Sequence, residues 1–299
     1  MYVFIVNPNA GKGHAMGLWS ETEPILRQRG IDYRVLISSS ETDAQSFIEL
    51  QLKRNTLKAI AVIGGDGTVG SVVQCIAKTA IPLAILPAGS GNDTARMFRL
   101  TTQPARFIEQ LLAHQTTAID LLNVNGRLGI TVAGVGIDAM IGQRVNQSWY
   151  KPILNKFGIG SFAYTIATVL ELLSFQPFSS RVTIDDTYYP LNTTWLIACG
   201  NTSSYGGGLI VCPQAKPTDG QFNLTMLHDV GRMRILLQLF PALLRGQPVN
   251  HKGVTYIEGK ELYIHTDRPV AVIVDGEIIT STPLMISIQV QALTLVLTT

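Results

Sequence analysis

Residues 57–74 read LKAIAVIGGDGTVGSVVQ, and the GGDGT at 64–68 decides how the first part of the chain is built. The apolar, β-branched run Ile60-Ala61-Val62-Ile63 predicts a buried strand. Gly64 and Gly65 follow it, where the backbone can turn with no Cβ in the way. Asp66 sets a carboxylate at that turn. Past Gly67 and Thr68, the residues Val69, Val72, Val73 and Ile76 recur at helical spacing, with Thr68 expected as the N-cap. A strand, a glycine turn and a helix N-terminus together suit a phosphate. Asp66 beside them could hold Mg²⁺ or polarise an attacking hydroxyl. An ordinary βα turn would use the same residue types.

Two further segments repeat the pattern. In IPLAILPAGSGNDTAR (81–96) the apolar run Leu83–Leu86 breaks at Pro87, enters a Gly/Ser/Asn/Asp turn and resumes as a helix from Thr94. Tyr2–Val6 is a strand followed by the small-residue loop NPNAGKG, residues 7–13. Turns after successive parallel strands share one edge of the sheet, where open α/β sheets bind ligands. A nucleotide or polyphosphate site is therefore expected there. Ile31–Ile37 and Asp43–Lys53 add another strand and helix. The alternation over 1–120 predicts a doubly wound, Rossmann-like parallel sheet. From 121 to 299 the character changes to many short strands, with turns at Asn125-Gly126, Asp185-Asp186, Asp219-Gly220 and Asp275-Gly276. That density predicts a β-sandwich or barrel, interrupted by helices near 160–174 and 231–245.

Composition narrows the function classes. The 299 residues are 46% hydrophobic and 15% charged, with a net charge of +2. So even a charge balance argues against a nucleic-acid partner held through phosphates. The sparse charge suits contact with something apolar. No apolar run reaches the roughly 18 residues of a bilayer span, and no signal-peptide pattern precedes the first strand. Cys75, Cys199 and Cys212 lack CxxC spacing and read as buried thiols of a reducing compartment. GVGIDA (134–139) formally fits a dinucleotide fingerprint but lacks the acidic residue that should end a second strand. Its setting is β-rich, and Asp138 is expected near the domain junction. Gly11-Lys12 lacks the upstream glycine and following Ser/Thr of a P-loop.

NPNAGKG, GGDGTVGSVVQ and PAGSGNDTAR resemble the three N-terminal signatures of the diacylglycerol kinase catalytic-domain superfamily. That group includes bacterial lipid kinases, sphingosine and ceramide kinases and, more distantly, NAD kinases. GVGIDA, GNTSSYGGGLIVCPQAKPTDGQFNL (200–224) and VDGE (274–277) continue the resemblance in the order of the soluble bacterial lipid kinases, so it covers essentially the whole chain. Ala10 stands where serine is usual, Ser71 where glutamate or asparagine often follows, Ser90 where threonine is common, and Asn223 where an acidic residue is frequent. The resemblance implies an α/β nucleotide-binding domain (1–120), a β-sandwich lipid-binding domain (121–299) and an active site in the cleft between them. ATP would be the phosphate donor and Mg²⁺ the metal.

Phosphoryl transfer needs positioned phosphates, Mg²⁺ and a base near the acceptor hydroxyl. The first turn offers Asn7, Pro8, Asn9, Ala10, Gly11 and Lys12. The second offers Gly64, Gly65, Asp66, Gly67 and Thr68, and the third Ser90, Asn92 and Asp93, with Arg96 one helical turn in. Asp66, Asp93 and Asp120 are the carboxylates best suited to Mg²⁺ and its waters. Each has a plainer reading: Asp93 as a helix cap, Asp120 as a strand-edge residue, Arg96 as a solvated helix residue. Asp275-Gly276-Glu277 reads equally as a hairpin turn. The resemblance makes Glu277 the group that accepts the lipid hydroxyl's proton, with Asp275 orienting it. It also aligns Ser38 with a nucleotide-contacting threonine, and matches Lys216, Asp219 and Gln221 to a structural Mg²⁺ loop, for which a type I turn is the alternative.

A lipid acceptor requires interfacial contact. Trp149, Tyr150, Lys151, Ile153, Leu154, Lys156 and Phe157 combine aromatic, apolar and basic residues as an interfacial anchor does. Residues 232–245 are basic at both ends and apolar between, which suits an anchor or a core helix with snorkelling ends. The expectation is an ATP- and Mg²⁺-dependent kinase of a lipid hydroxyl, most simply diacylglycerol, that is cytoplasmic and touches the inner face of the membrane transiently. The alternatives are another lipid acceptor (sphingoid, ceramide or phosphatidylglycerol type), a soluble NAD-kinase-like acceptor, or a non-catalytic nucleotide or lipid sensor. An exposed edge strand could support a homodimer.

Overall fold

The computed structural model describes residues 1–54, 56–149, 162–206, 208–244 and 249–297. The chain divides into two compact units: Met1–Leu121 with Val290–Thr299, and Leu122–Gln289.

In the first unit, strands β1 (Tyr2–Val6), β2 (Tyr33–Ile37), β3 (Ala59–Gly64) and β4 (Leu83–Pro87) form a parallel sheet in the order β2-β1-β3-β4. Helices α1 (His14–Gln28), α2 (Glu41–Leu52), α3 (Asp66–Ile76), α4 (Asp93–Met97) and α5 (Pro104–Ala113) follow in turn. Strand β5 (Thr116–Val124) leads out of the unit. Phe4, Val6, Ala61, Ile63 and Leu86 pack with Leu18, Trp19 and Leu26 of α1 and with Phe107 and Leu111 of α5. Val3, Ile5, Ile60 and Val62, which point the other way, are equally buried. A sheet covered on both faces explains why its strands read as unbroken apolar runs. The order in which strands are added reverses between β1 and β3, so the topological switch point lies between the loops that follow them. Thr68 is not the N-cap of α3. That helix begins at Asp66 after an extended Gly65, and Thr68 sits in its first turn.

The second unit holds β6 (Arg127–Gly129), β7 (Val132–Gly136), β8 (Phe178–Ile184), β9 (Thr187–Gly200), β10 (Ser204–Tyr205), β11 (Leu209–Ile210), β12 (Phe222–His228), β13 (Val254–Gly259), β14 (Glu261–Thr266), β15 (Ala271–Val274), β16 (Glu277–Ser281) and the first part of β17 (Leu284–Val296). Its main path runs β16-β15-β7-β9-β8-β14-β17, with β12 pairing β9 and β13. Val135, Phe178, Val182, Ile197, Leu224 and Ile264 are among the residues that fill its core. Helices α6 (Ile137–Gln147) and α7 (Phe162–Ser174) and a helical run over 232–244 accompany the strands. That run is π-helical at Ile235–Leu239. Strand β17 is long and continuous, spanning 13 residues. Its end returns to the first unit, where Leu295 pairs with Leu83 of β4. Cys199 and Cys212 are buried and Cys75 half-buried, all as free thiols. Burial pushes the Cys212 thiol up to about 12.

Ser40 caps α2, its hydroxyl accepting the Asp43 N–H at 3.1 Å. Ser40→Ala is expected to lower the unfolding free energy by about 1 kcal/mol in urea titration. An unchanged midpoint would deny the cap its role.

Candidate functional site

At the carboxyl edge of the parallel sheet the loops after β1, β3 and β4 meet, and named side chains tie them. The Asn7 amide donates to the Thr68 hydroxyl at 2.9 Å, joining the first loop to the start of α3 across the switch point. Gly11, Lys12 and Gly13 all take positive φ, of 57°, 57° and 93°. For Lys12 that conformation is strained, and such strain gathers at ligand sites. The Lys12 side chain is exposed. Ser38, just past β2, joins the same edge: its N–H donates to the Val6 carbonyl, and its hydroxyl bonds Asp43 at 2.7 Å.

The second and third turns interlock through one carboxylate. Asp66 accepts the Asp93 N–H at 3.1 Å and the Thr94 N–H at 3.2 Å, so the first residue of α3 caps α4 from across the edge. The turns approach so closely that a Cβ on Gly89 would lie 2.6 Å from the Gly65 Cα. Asn92 folds back on its own turn, accepting the Gly89 N–H and donating to the Gly89 carbonyl. Arg96 pairs with Asp93 at 2.9 Å and donates to the Gly91 carbonyl at 3.0 Å. Ser90 is exposed between them. Gly64, Gly65, Gly67 and Thr68 thus present the amino end of α3 beside Asn7–Lys12. A helix start carries unpaired N–H groups and partial positive charge, which suits phosphate.

Two of the expected Mg²⁺ carboxylates meet at one glycine. Asp66 and Asp93 converge: a Cβ on Gly91 would sit 3.1 Å from one Asp66 oxygen and 3.8 Å from one Asp93 oxygen. That cradle suits a cation needing one or two carboxylates plus water and phosphate oxygens. Asp120 is fully buried in β5 and accepts the Gln291 N–H at 2.7 Å. Among the described residues, no three His, Cys, Asp or Glu side chains are gathered as a metal cluster. In the loop 216–221, the Asp219 carboxylate accepts the Gln221 N–H at 3.1 Å. Lys216 precedes that turn.

In the second unit, Asp275 and Gly276 take φ of 50° and 88° and form the two-residue turn between β15 and β16, as a hairpin of this kind requires. The Asp275 carboxylate accepts from Ile130 N–H, Thr131 N–H and the Thr131 hydroxyl at 2.6–2.8 Å. It holds the strand connection at 130–131. Glu277 opens β16 with a half-exposed carboxylate 3.7 Å from Arg127.

Sequence reasoning missed a second feature of this unit, an apolar cavity of about 100 Å³ that opens to the surface. Leu172, Leu196, Ile235, Leu239 and Phe240 line it, and Asp138, Tyr205 and Thr225 supply polar groups. Asp138 is nearly inaccessible, and its carboxyl accepts from the Ala139 N–H at 2.9 Å and the Tyr205 hydroxyl at 3.2 Å. Burial raises its pKa from 3.8 to about 7, against the opposing pull of those hydrogen bonds. The clue in the sequence is Gly134, where an added Cβ would fall 1.5 Å from an Asp138 oxygen. Of the anchor stretch 149–157, Trp149 is described and 78% exposed. Tyr150, Lys151, Ile153, Leu154, Lys156 and Phe157 lie outside the described residues, as does Arg245. Among the described residues no helix is long and apolar enough to cross a membrane.

Comparison with known proteins agrees with this geometry. Residues 1–124 match the family model described as the diacylglycerol kinase catalytic domain. Residues 131–297 match the one described as the YegS C-terminal NAD kinase beta sandwich-like domain. A diacylglycerol kinase of Mycobacterium tuberculosis is 33% identical over 290 residues, covering 95% of this chain and 90% of the relative. A solved diacylglycerol kinase from Bacillus anthracis superposes with a TM-score of 0.75 at 21% identity, over 99% of this chain and 96% of that one. Yeast NADH kinase complexed with NADH superposes with a TM-score of 0.51 at 10% identity, over 100% and 84%. The likeness to these solved structures is one of fold.

Removing the clasp with Asp66→Ala should speed hydrogen exchange at the Asp93 and Thr94 amides and destabilise the first unit by about 1–3 kcal/mol. Unchanged exchange at both amides would contradict the assignment. Asp138 gives a pH signature. Folded, it stays protonated up to about pH 7, whereas unfolded it ionises near 3.8. The folded state therefore binds the extra proton between those values, and stability falls as pH rises through that window and then levels. Urea midpoints should show this slope in the native chain and lose it in Asp138→Asn.

Proposed function

This chain belongs to the diacylglycerol kinase catalytic-domain superfamily, related by fold to NAD kinases, and on that premise we propose that it transfers the γ-phosphate of ATP to the hydroxyl of a membrane lipid, most simply diacylglycerol. The cavity of the second unit carries the lipid part of this reading. Its walls are aliphatic and aromatic, and its few polar groups are grouped around Asp138 and Tyr205. A pocket of that make-up suits an acyl chain with a polar head better than a dinucleotide acceptor.

The donor end follows from the first unit. Amide groups at the start of α3 and the loop Asn7–Gly13 would hold the phosphates of ATP. Lys12 offsets their charge, and Arg96 steadies the third turn through Asp93 and the Gly91 carbonyl. Asp66 and Asp93 would hold Mg²⁺, which supplies neutralisation of phosphate charge when bound. Asp66 meanwhile keeps the two turns in register. Glu277 accepts the acceptor's hydroxyl proton. Its carboxylate is half exposed at the start of β16, and Arg127 keeps it oriented. Asp275 fixes the hairpin from which Glu277 projects.

Glu277→Ala should lower the rate of diacylglycerol-dependent ADP release by about 10²–10⁴-fold. The thermal midpoint should stay put, because the side chain is half exposed. Full activity in that variant would remove Glu277 from the proton transfer. Absence of ADP release by the native chain with every lipid acceptor would overturn the lipid reading itself.

A further inference from the structure

Helix α7 is polarised the wrong way for a solvated helix. Its sequence FAYTIATVLELLS holds one charged residue, Glu171, and that residue is buried. Glu171 faces inward and pairs with Arg144 of α6. Ile166, Leu170 and Leu173, at the i, i+4, i+7 spacing of one helical stripe, are exposed instead. The helical run 232–244 does the same. Ile235, Leu239 and Phe240 turn inward, while Met233 and Leu237 are 59% and 66% exposed. The two elements are joined. The Arg232 guanidinium donates to the Phe175 carbonyl, just past the end of α7, at 2.8 Å, and lies over the Trp195 ring. Thr168 and Leu172 of α7 and Ile235, Leu239 and Phe240 of the run line the same apolar cavity.

We propose that the outward stripes of α7 and of the run 232–244 are the surface by which this chain docks on a lipid bilayer, so that the cavity behind them fills from the membrane. The inference rests on the lipid-kinase reading above for the identity of the occupant. Three observations favour a bilayer. The apolar side chains stand on the walls of a cavity suited to an acyl chain, so the surface and the pocket are continuous. The interior placement of Glu171 leaves the outward face of α7 without a charge to desolvate. Exposed Arg234 lies within the run and meets His251 at 3.4 Å, and exposed Lys252 follows His251 in the chain, as suits anionic headgroups.

Co-sedimentation of the full chain with phosphatidylcholine–phosphatidylglycerol vesicles tests this. Leu170→Glu and Leu237→Glu, each outside the cavity lining, should each weaken partitioning by about tenfold or more. The milder Leu170→Gln and Leu237→Gln serve if a glutamate variant fails to fold. In parallel, ADP release is measured with a short-chain diacylglycerol kept monomeric in solution and with long-chain diacylglycerol in vesicles. The variants should keep turnover on the soluble acceptor and lose it on the vesicles. Native-like vesicle binding in folded variants of both helices overturns the docking surface while leaving the kinase reading intact. Loss of a dimer by sedimentation velocity with vesicle binding unchanged would likewise overturn it, assigning the face to a second copy. Vesicle binding that the variants lose, without turnover of either acceptor by the native chain, would support the surface and contradict the kinase reading.

Discussion

The Asp66 carboxylate accepting the backbone N–H groups of Asp93 and Thr94 is the interaction on which the first unit's site depends. The start of α4 needs acceptors for its N–H groups, and its partial positive charge favours an anion. A carboxylate from the neighbouring turn meets both needs. In doing so it draws the loop after β4 against the loop after β3, until a Cβ on Gly89 would collide with the Gly65 backbone. The same bonds hold the first residue of α3 in place against the third turn. Asn7 then ties the loop after β1 to Thr68. These part-buried bonds together tie three loops at once.

Aspartate side chains play comparable parts elsewhere. Asp275 closes its hairpin over residues 130–131, Asp120 holds Gln291, and Asp185 accepts the N–H groups of Lys260 and Glu261. In each case a short acidic side chain supplies acceptors that a loop backbone lacks. Asp138 is different. It is buried beside aliphatic walls with a tyrosine hydroxyl as partner, and burial favours its neutral form. A neutral carboxylic acid can both donate and accept a hydrogen bond, which suits an uncharged hydroxyl or ester at the polar end of an apolar pocket.

The parallel sheet was legible because burial on both faces writes itself as continuous apolar runs, as in Ile60–Ile63 and Leu83–Leu86. Its glycine turns were legible because a tight βα turn admits few residue types. The clasps were not. Asp66 and Thr94 are 28 positions apart, and Asp120 and Gln291 are 171 apart, so no local pattern reports them. Thr68 resembled a cap because cap preference is local, while the helix start is set by the turn before it. Helix α6 was hidden by Gly142 and its polar neighbours, which break the apolar stripe. The cavity was hidden because its lining is drawn from positions scattered between 137 and 256. In α7 apolar residues occupy both faces, and the inward turn of Glu171 marks which side faces out.

The most direct measurement follows labelled phosphate from γ-labelled ATP when diacylglycerol micelles and NAD are offered together, with product separated into organic and aqueous phases. Label in the organic phase, dependent on Mg²⁺ and absent without lipid, is the expected result. Label on NAD with none in the lipid would contradict a lipid acceptor, and would make the apolar cavity irrelevant to catalysis.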